Sequence, residues 1–171
     1  MRSLLAFAVL VVCVTTVACD DDEPTGPTLA PLDFTASLSG GAVRPNAVTT
    51  SATGTASLTA TTGSSDIYDP GSNNFTTITY SVSVNGLSGP ATTVELRGPA
   101  NEESVGELIL ALTVNSAQTS GAIASGSFTS TSNPLVSGDS LVALLLTRNA
   151  YVTVKTSANP LGEIRGQVIA P

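Results

Sequence analysis

The sequence contains no histidine, and only six of its 171 residues are lysine or arginine, against thirteen aspartates and glutamates. Each shortage excludes something. Without histidine there is no Ser-His-Asp triad, no imidazole acid–base catalysis and none of the common zinc sites. The basic residues Arg2, Arg44, Arg97, Arg148, Lys155 and Arg165 stand singly along the chain, so no basic stretch is present to track a phosphate backbone, and nucleic acid is not an expected partner. The chain has two cysteines, and Cys13 lies inside an apolar leader. A mature protein would keep Cys19 alone and form no internal disulfide. No glycine-rich phosphate loop occurs. Glu102, Glu103 and Glu107 lie near one another in sequence, but they follow a Gly-Pro turn where a solvated loop explains them better than paired carboxylate catalysis. The chain is therefore not expected to be an enzyme, and no cofactor is expected.

The N-terminus carries more information. Met1-Arg2 is a minimal positive start, and residues 4–18 form an apolar run too short for a comfortable membrane span. Residues 1–18 therefore read as a secretory signal. The run ends Thr16-Val17-Ala18-Cys19, small residues before a cysteine, similar to the bacterial lipobox that is cut so that the cysteine becomes the N-terminus and carries lipid. Cleavage after Ala18 that leaves Cys19 a free thiol is the alternative. Lipidation accounts for the odd cysteine, and several acyl chains at about 0.8 kcal/mol per buried methylene would anchor stably. Residues 19–31 begin Asp20-Asp21-Asp22-Glu23 and continue with proline and glycine, a self-repelling tether. The expected setting is the cell envelope, on the periplasmic face or at the cell surface, with the membrane as one partner and a protein or polysaccharide as another. With Arg2 removed, five basic residues face thirteen acids, a net charge of −8.

Residues 32–171 suit one domain with its own core. Apolar and polar residues alternate over 32–38, 53–61, 75–84, 91–97, 105–114 and 122–129, with Leu108, Leu110, Leu112 and Val114 on one side of the fifth segment. Over 139–148 the leucines instead recur at helical spacing, with Ser137 or Asp139 as a cap and Arg148 at the end, although a buried strand would look similar. The loop at 62–74 holds Asp66, Asp69, Asn73 and Asn74, oxygen donors that calcium accepts and that turns equally favour. Strands wet on one face imply two antiparallel sheets packed together. The expectation is an immunoglobulin-like or Greek-key β-sandwich with one short helix, a closed barrel being the alternative.

The chain closes on Tyr151-Val-Thr-Val-Lys-Thr and Gly162-Glu163-Ile164-Arg165-Gly166-Gln167, two alternating segments joined by an Asn159-Pro160-Leu161-Gly162 turn. This hairpin resembles the end of the CHRD (chordin-type) domain family, which reads Tyr-Val-Asn-Val-His-Thr, a short turn, then Gly-Glu-Ile-Arg-Gly-Gln. Phe34-Thr-Ala-Ser-Leu-Ser-Gly40 is similar to the family's first strand. Tyr80-Ser-Val-Ser-Val-Asn-Gly-Leu87 with Gly89-Pro-Ala-Thr92 is similar to its middle, so the resemblance runs from Phe34 to Val168. It implies an extracellular module and no particular reaction.

In the family a His-x-His pair precedes a glycine in the middle strand, and another histidine sits in the penultimate strand. The positions here are Glu95, Arg97 and Lys155. Protonated arginine and lysine cannot ligate a metal. The resemblance therefore leaves either an ion cluster of these three on the surface or three separate solvated charges, and no metal is expected. A metal-handling protein or enzyme derived from the histidine pattern, and a self-associating matrix component, are the alternative functions. Gly162, Glu163, Arg165 and Gly166 belong to the family pattern. A structural role is expected for them, with Arg165 bonding to neighbouring carbonyls or to an acid.

Overall fold

Alternation produces the first three strands, Leu32–Ser39 (β1), Thr53–Thr62 (β2) and Phe75–Asn85 (β3), each antiparallel to the next. The computed structural model describes residues 30–62, 75–129 and 137–170. The leader, Cys19, the acidic run and the donors of the 62–74 loop lie outside them. The later strands are Ala91–Gly98 (β4), Glu107–Leu112 (β5), Gly121–Thr129 (β6), Tyr151–Thr156 (β7) and Ile164–Gln167 (β8), and one helix, Gly138–Leu146 (α1), precedes β7.

The antiparallel, almost wholly β character agrees with the sequence pattern, but the strands are not divided between two hydrogen-bonded sheets. Among the described residues the eight strands belong to one sheet in the order β5-β4-β7-β8-β1-β2-β3-β6. Its edges meet where Val114, just past β5, bridges Ala124 of β6, so the sheet curls into a nearly closed barrel. Alternation reports only that each strand has one dry face. A curled sheet and a stacked pair both meet that condition, and eight strands give an interior that side chains can fill. The filling here is one cluster built from Phe34, Leu38, Leu58, Ile78, Val82, Leu96, Ile123, Val152, Ile164 and their neighbours.

Helix α1 adds Leu141, Val142 and Leu145 to this cluster. The Ser137 hydroxyl accepts from the Ser140 N–H at 3.2 Å and caps the first turn. Arg148 lies beyond the helix end with φ 56°, so it is not in the last turn.

Strand β5 departs from simple alternation. Leu96 pairs with Leu110 but Arg97 pairs with Leu108, and Ile109 is the extra residue of a bulge. Ile109 is turned inward, and Leu108, expected on the dry side, is exposed.

The seam between β8 and β1 depends on a glycine. Ser39 pairs with Arg165, and Thr35 and Ile169 exchange N–H···O bonds of 2.9 and 2.8 Å. Between them, a Cβ on Gly166 would run into the Ser37 carbonyl and the Leu38 backbone nitrogen. Gly166→Ala is expected to lower stability by about 1–3 kcal/mol. The urea midpoint reads this, and an unchanged midpoint would mean that the seam tolerates a side chain.

Outside the barrel the strands differ. On β2 and β3, Thr55, Ser57, Thr79, Ser81 and Ser83 are exposed, as alternation implies. On β4, β7 and β8 the corresponding outward side chains of Glu95, Tyr151, Thr153 and Arg165 are buried, as is Glu163 just before β8. Segments 40–50 and 99–106 are tied by hydrogen bonds to this outer face, which becomes a second, polar layer.

Candidate functional site

Glu163 begins with its turn. The Gly162 N–H donates to the Asn159 carbonyl at 3.1 Å, and Gly162 takes φ 136°, a backbone that side-chain-bearing residues rarely adopt. The next residue, Glu163, is directed beneath the β3–β4 connection and is 0% exposed. Its Oε1 accepts from the Ser88 N–H at 2.7 Å and the Thr50 hydroxyl at 3.2 Å. Its Oε2 accepts from the Ser88 hydroxyl at 2.6 Å and the Thr156 hydroxyl at 2.7 Å. Burial by itself would raise the carboxyl's pKa, but the bonds from Ser88 and Thr156 outweigh it and hold the group below its ordinary value. Glu163 is thus a buried anion satisfied by neutral donors from three parts of the chain, and it fixes the β1–β2 and β3–β4 connections to the closing hairpin.

Arg165 performs the matching task on the other side of the hairpin. It is 3% exposed. Its Nη1 donates to the Ser104 carbonyl at 2.8 Å and its Nη2 to the Asn101 carbonyl at 2.7 Å. The guanidinium carbon lies 3.6 Å from the centroid of the Tyr151 ring, a cation–π stack. Tyr151 is opposite Gln167, so it is diagonal to Arg165 across the β7–β8 pair. Gln167 Nε2 adds bonds of 2.7 Å to the Ala100 and Arg148 carbonyls. The 99–106 segment is thereby clamped to the sheet by its backbone while Asn101, Glu102, Glu103, Ser104 and Val105 remain exposed.

Glu95, Arg97 and Lys155 stand together. Arg97 Nη1 donates to Glu95 Oε2 at 2.8 Å, and Lys155 Nζ donates to Glu95 Oε1 at 2.7 Å. In the register Lys155 is opposite Thr93 and Thr153 is opposite Glu95, which makes Glu95 and Lys155 diagonal neighbours. The cluster is less exposed than surface charges, Glu95 being only 8% accessible. Desolvation raises the Glu95 pKa, and the bonds from Lys155 and Arg97 more than reverse this, so the carboxyl stays below its usual range. Among the described residues no three histidines, cysteines, aspartates or glutamates are grouped so as to hold a metal ion. Of the loop acids, Glu103 is drawn away by Arg44, whose Nε and Nη2 grip its two oxygens at 3.2 and 3.1 Å.

One cleft of about 150 Å³ opens over this polar layer, and Arg44, Arg97, Lys155 and Arg165 all line it. Arg97, Lys155 and Arg165 are candidate site residues from the sequence, whereas Arg44, one scattered base among six, reaches the cleft from the β1–β2 connection. Thr50 and Ser88, the donors to Glu163, are not candidates, because a hydroxyl in a Ser- and Thr-rich chain carries no local mark of its partner. The Tyr151–Arg165 stack joins diagonal neighbours of the closing hairpin.

Comparison with known proteins places this geometry. A model of the CHRD domain matches residues 34–168, a span that includes the first strand, the ion cluster, the cleft and the closing hairpin. No curated protein and no solved structure matches the chain. By a match covering well over half its length, the chain belongs to the CHRD domain family.

Proposed function

We propose that this protein is a non-catalytic binding or structural module, exported and held at a membrane by lipid on Cys19. The CHRD domain would be presented on the acidic, Pro/Gly-rich tether, on the periplasmic face or at the cell surface, to a protein or polysaccharide partner. One observation carries the non-catalytic part: the buried carboxylates on the polar layer, Glu95 and Glu163, are both committed to holding the chain together. A general acid or base at neutral pH needs a pKa near 7 and a free lone pair or proton directed at substrate. Both groups are shifted the opposite way, and their oxygens already accept bonds from the protein.

The anchoring part rests on the apolar leader ending at Thr16-Val17-Ala18-Cys19 and the unpaired cysteine. Among the described residues no helix is long and apolar enough to cross a membrane. In a bacterial host supplied with labelled palmitate, the wild-type chain is expected to take the label and sediment with membranes. Cys19→Ser should do neither, while still being exported. Unlabelled wild-type protein recovered in the soluble extracytoplasmic fraction would overturn the anchor, leaving a secreted module.

A further inference from the structure

The basic residues, scattered singly in the sequence, converge in the fold. Four of the six lysines and arginines of the whole chain line one cleft, in a protein whose net charge is −7. The acids paired with them, Glu95 for Arg97 and Lys155 and Glu103 for Arg44, are not among the residues that line it. Two positive charges remain after these pairings. Glu102, which acts on Arg165 only by longer-range attraction, reduces the excess without cancelling it. Among the described residues acids only slightly outnumber bases, so a concavity lined by four cations is a local positive field that attracts anions.

Geometry adds a second constraint. Arg165 is fixed by the Asn101 and Ser104 carbonyls, and Arg97 Nε by the Gly106 carbonyl at 3.0 Å, so the cations are oriented before any ligand arrives. Lys155 has three ammonium hydrogens and directs one to Glu95. The rim is apolar, with Val43, Pro45, Val105 and Leu161, the last 82% exposed. A neighbouring hollow of about 250 Å³ shares Val43, Arg44, Pro45 and Leu161 and continues past Val48 and Pro160.

From these observations we infer that the cleft is a binding site for the oxyanion end of a small ligand, a carboxylate or phosphate, whose body lies along the apolar rim. The hydrogens of the cationic groups that the protein's own bonds leave over, those of Lys155 above all, suit either oxyanion. The inference deepens the binding-module reading and rests on it, but it is independent of the lipid anchor.

The test is titration of the purified full chain, at constant ionic strength, with sodium glucuronate, with inorganic phosphate and with neutral glucose, followed by backbone amide shifts. One or both anions are expected to saturate, in roughly the millimolar range proper to a single charged group, and to move the amides of Thr153, Lys155 and Arg165. Glucose should leave them in place. Tighter glucuronate binding would assign the site to acidic sugars, and tighter phosphate binding to phosphoryl groups. Leu161→Asp puts an acid on the exposed rim without touching the core, and Lys155→Gln removes one cation. Each is expected to weaken binding roughly tenfold, with the melting temperature of Leu161→Asp unchanged. Absence of saturation by either anion, equal response to glucose, or undiminished affinity in Leu161→Asp would overturn the inference. A chain that fails here yet stays folded and captures a partner elsewhere would still be a binding module.

Discussion

Glu163→Ala should destabilise the domain by on the order of 3–5 kcal/mol, and Glu163→Gln by about half as much. Alanine leaves three hydroxyls and the Ser88 N–H facing a buried space with no acceptor. Glutamine keeps one acceptor oxygen and presents an NH2 in place of the other, and the rotatable hydroxyls of Ser88 and Thr156 can turn to accept from it. For a domain of this size the alanine variant corresponds to a fall of about 10 °C in melting temperature. The pH dependence has a definite sign. The folded pKa of Glu163 lies below that of an unfolded glutamate, about 4.3. Its contribution is therefore complete above that pH and is lost as pH falls through the folded value. Glu95, also shifted down, acts in the same direction. The stability difference between wild type and Glu163→Gln should accordingly be constant from neutral pH to about pH 5 and shrink below pH 4. A difference that grows on acidification would contradict a charged, bonded Glu163.

The second large effect is expected at Arg165. Arg165→Ala removes the donors to the Asn101 and Ser104 carbonyls and uncovers the ring of Tyr151. A loss of about 2–4 kcal/mol follows from two part-buried carbonyls left without their charged donor and from the lost packing of a buried guanidinium on the ring. Arg165→Lys keeps the charge but not the fork: one ammonium has neither the planar reach to both carbonyls nor the flat face that stacks on tyrosine. It should recover less than half of the loss. Hydrogen exchange distinguishes this from a general weakening, because amides of the 99–106 segment should exchange faster in Arg165→Lys while those of β2 and β3 keep their protection. Uniform acceleration over the whole barrel would mean that the clamp is not local.

The elements that carry alternation were legible before any coordinates. The bounds of β1, β2, β3 and β4 fall within a residue or two of the apolar–polar pattern, and leucine spacing points to the helix, with Ser137 or Asp139 as its cap and a buried strand as the alternative; the structure has the helix, capped by Ser137. The pattern could not say that the strands share one sheet, because closure is decided by which edges meet, and the Val114–Ala124 bridge has no mark in either segment. Nor could it place Leu108 outside, since the bulge that inserts Ile109 shifts the phase only against a partner strand. The same limit governed the site. Alternation alone implies a wet outer face for β7 and β8. Tyr151, Thr153 and Arg165, with Glu163 just before β8, are buried because segments 40–50 and 99–106 cover them, and that cover is a long-range fact. Glu95 and Lys155 meet because β4 pairs with β7, a long-range register that neither strand marks; their grouping with Arg97 is an expectation drawn from the family resemblance, and the arrival of Arg44 is not.

The second polar layer also explains why a short closing hairpin carries so many charged residues. Glycine at 166 lets β8 approach β1, glycine at 162 turns the chain so that Glu163 enters the fold, and Arg165 binds the covering loop. Each of these family-pattern positions has a structural requirement that a different residue type would not meet.

If the charges of the closing hairpin hold the fold together rather than exchange protons with a substrate, the Glu163 side-chain carboxyl, followed through an acid titration by carbon-detected NMR, has its midpoint below the ordinary glutamate value, and the Ser88 amide shifts in step as its acceptor is protonated. A Glu163 that titrates at or above the ordinary value, with Ser88 unmoved, would contradict it.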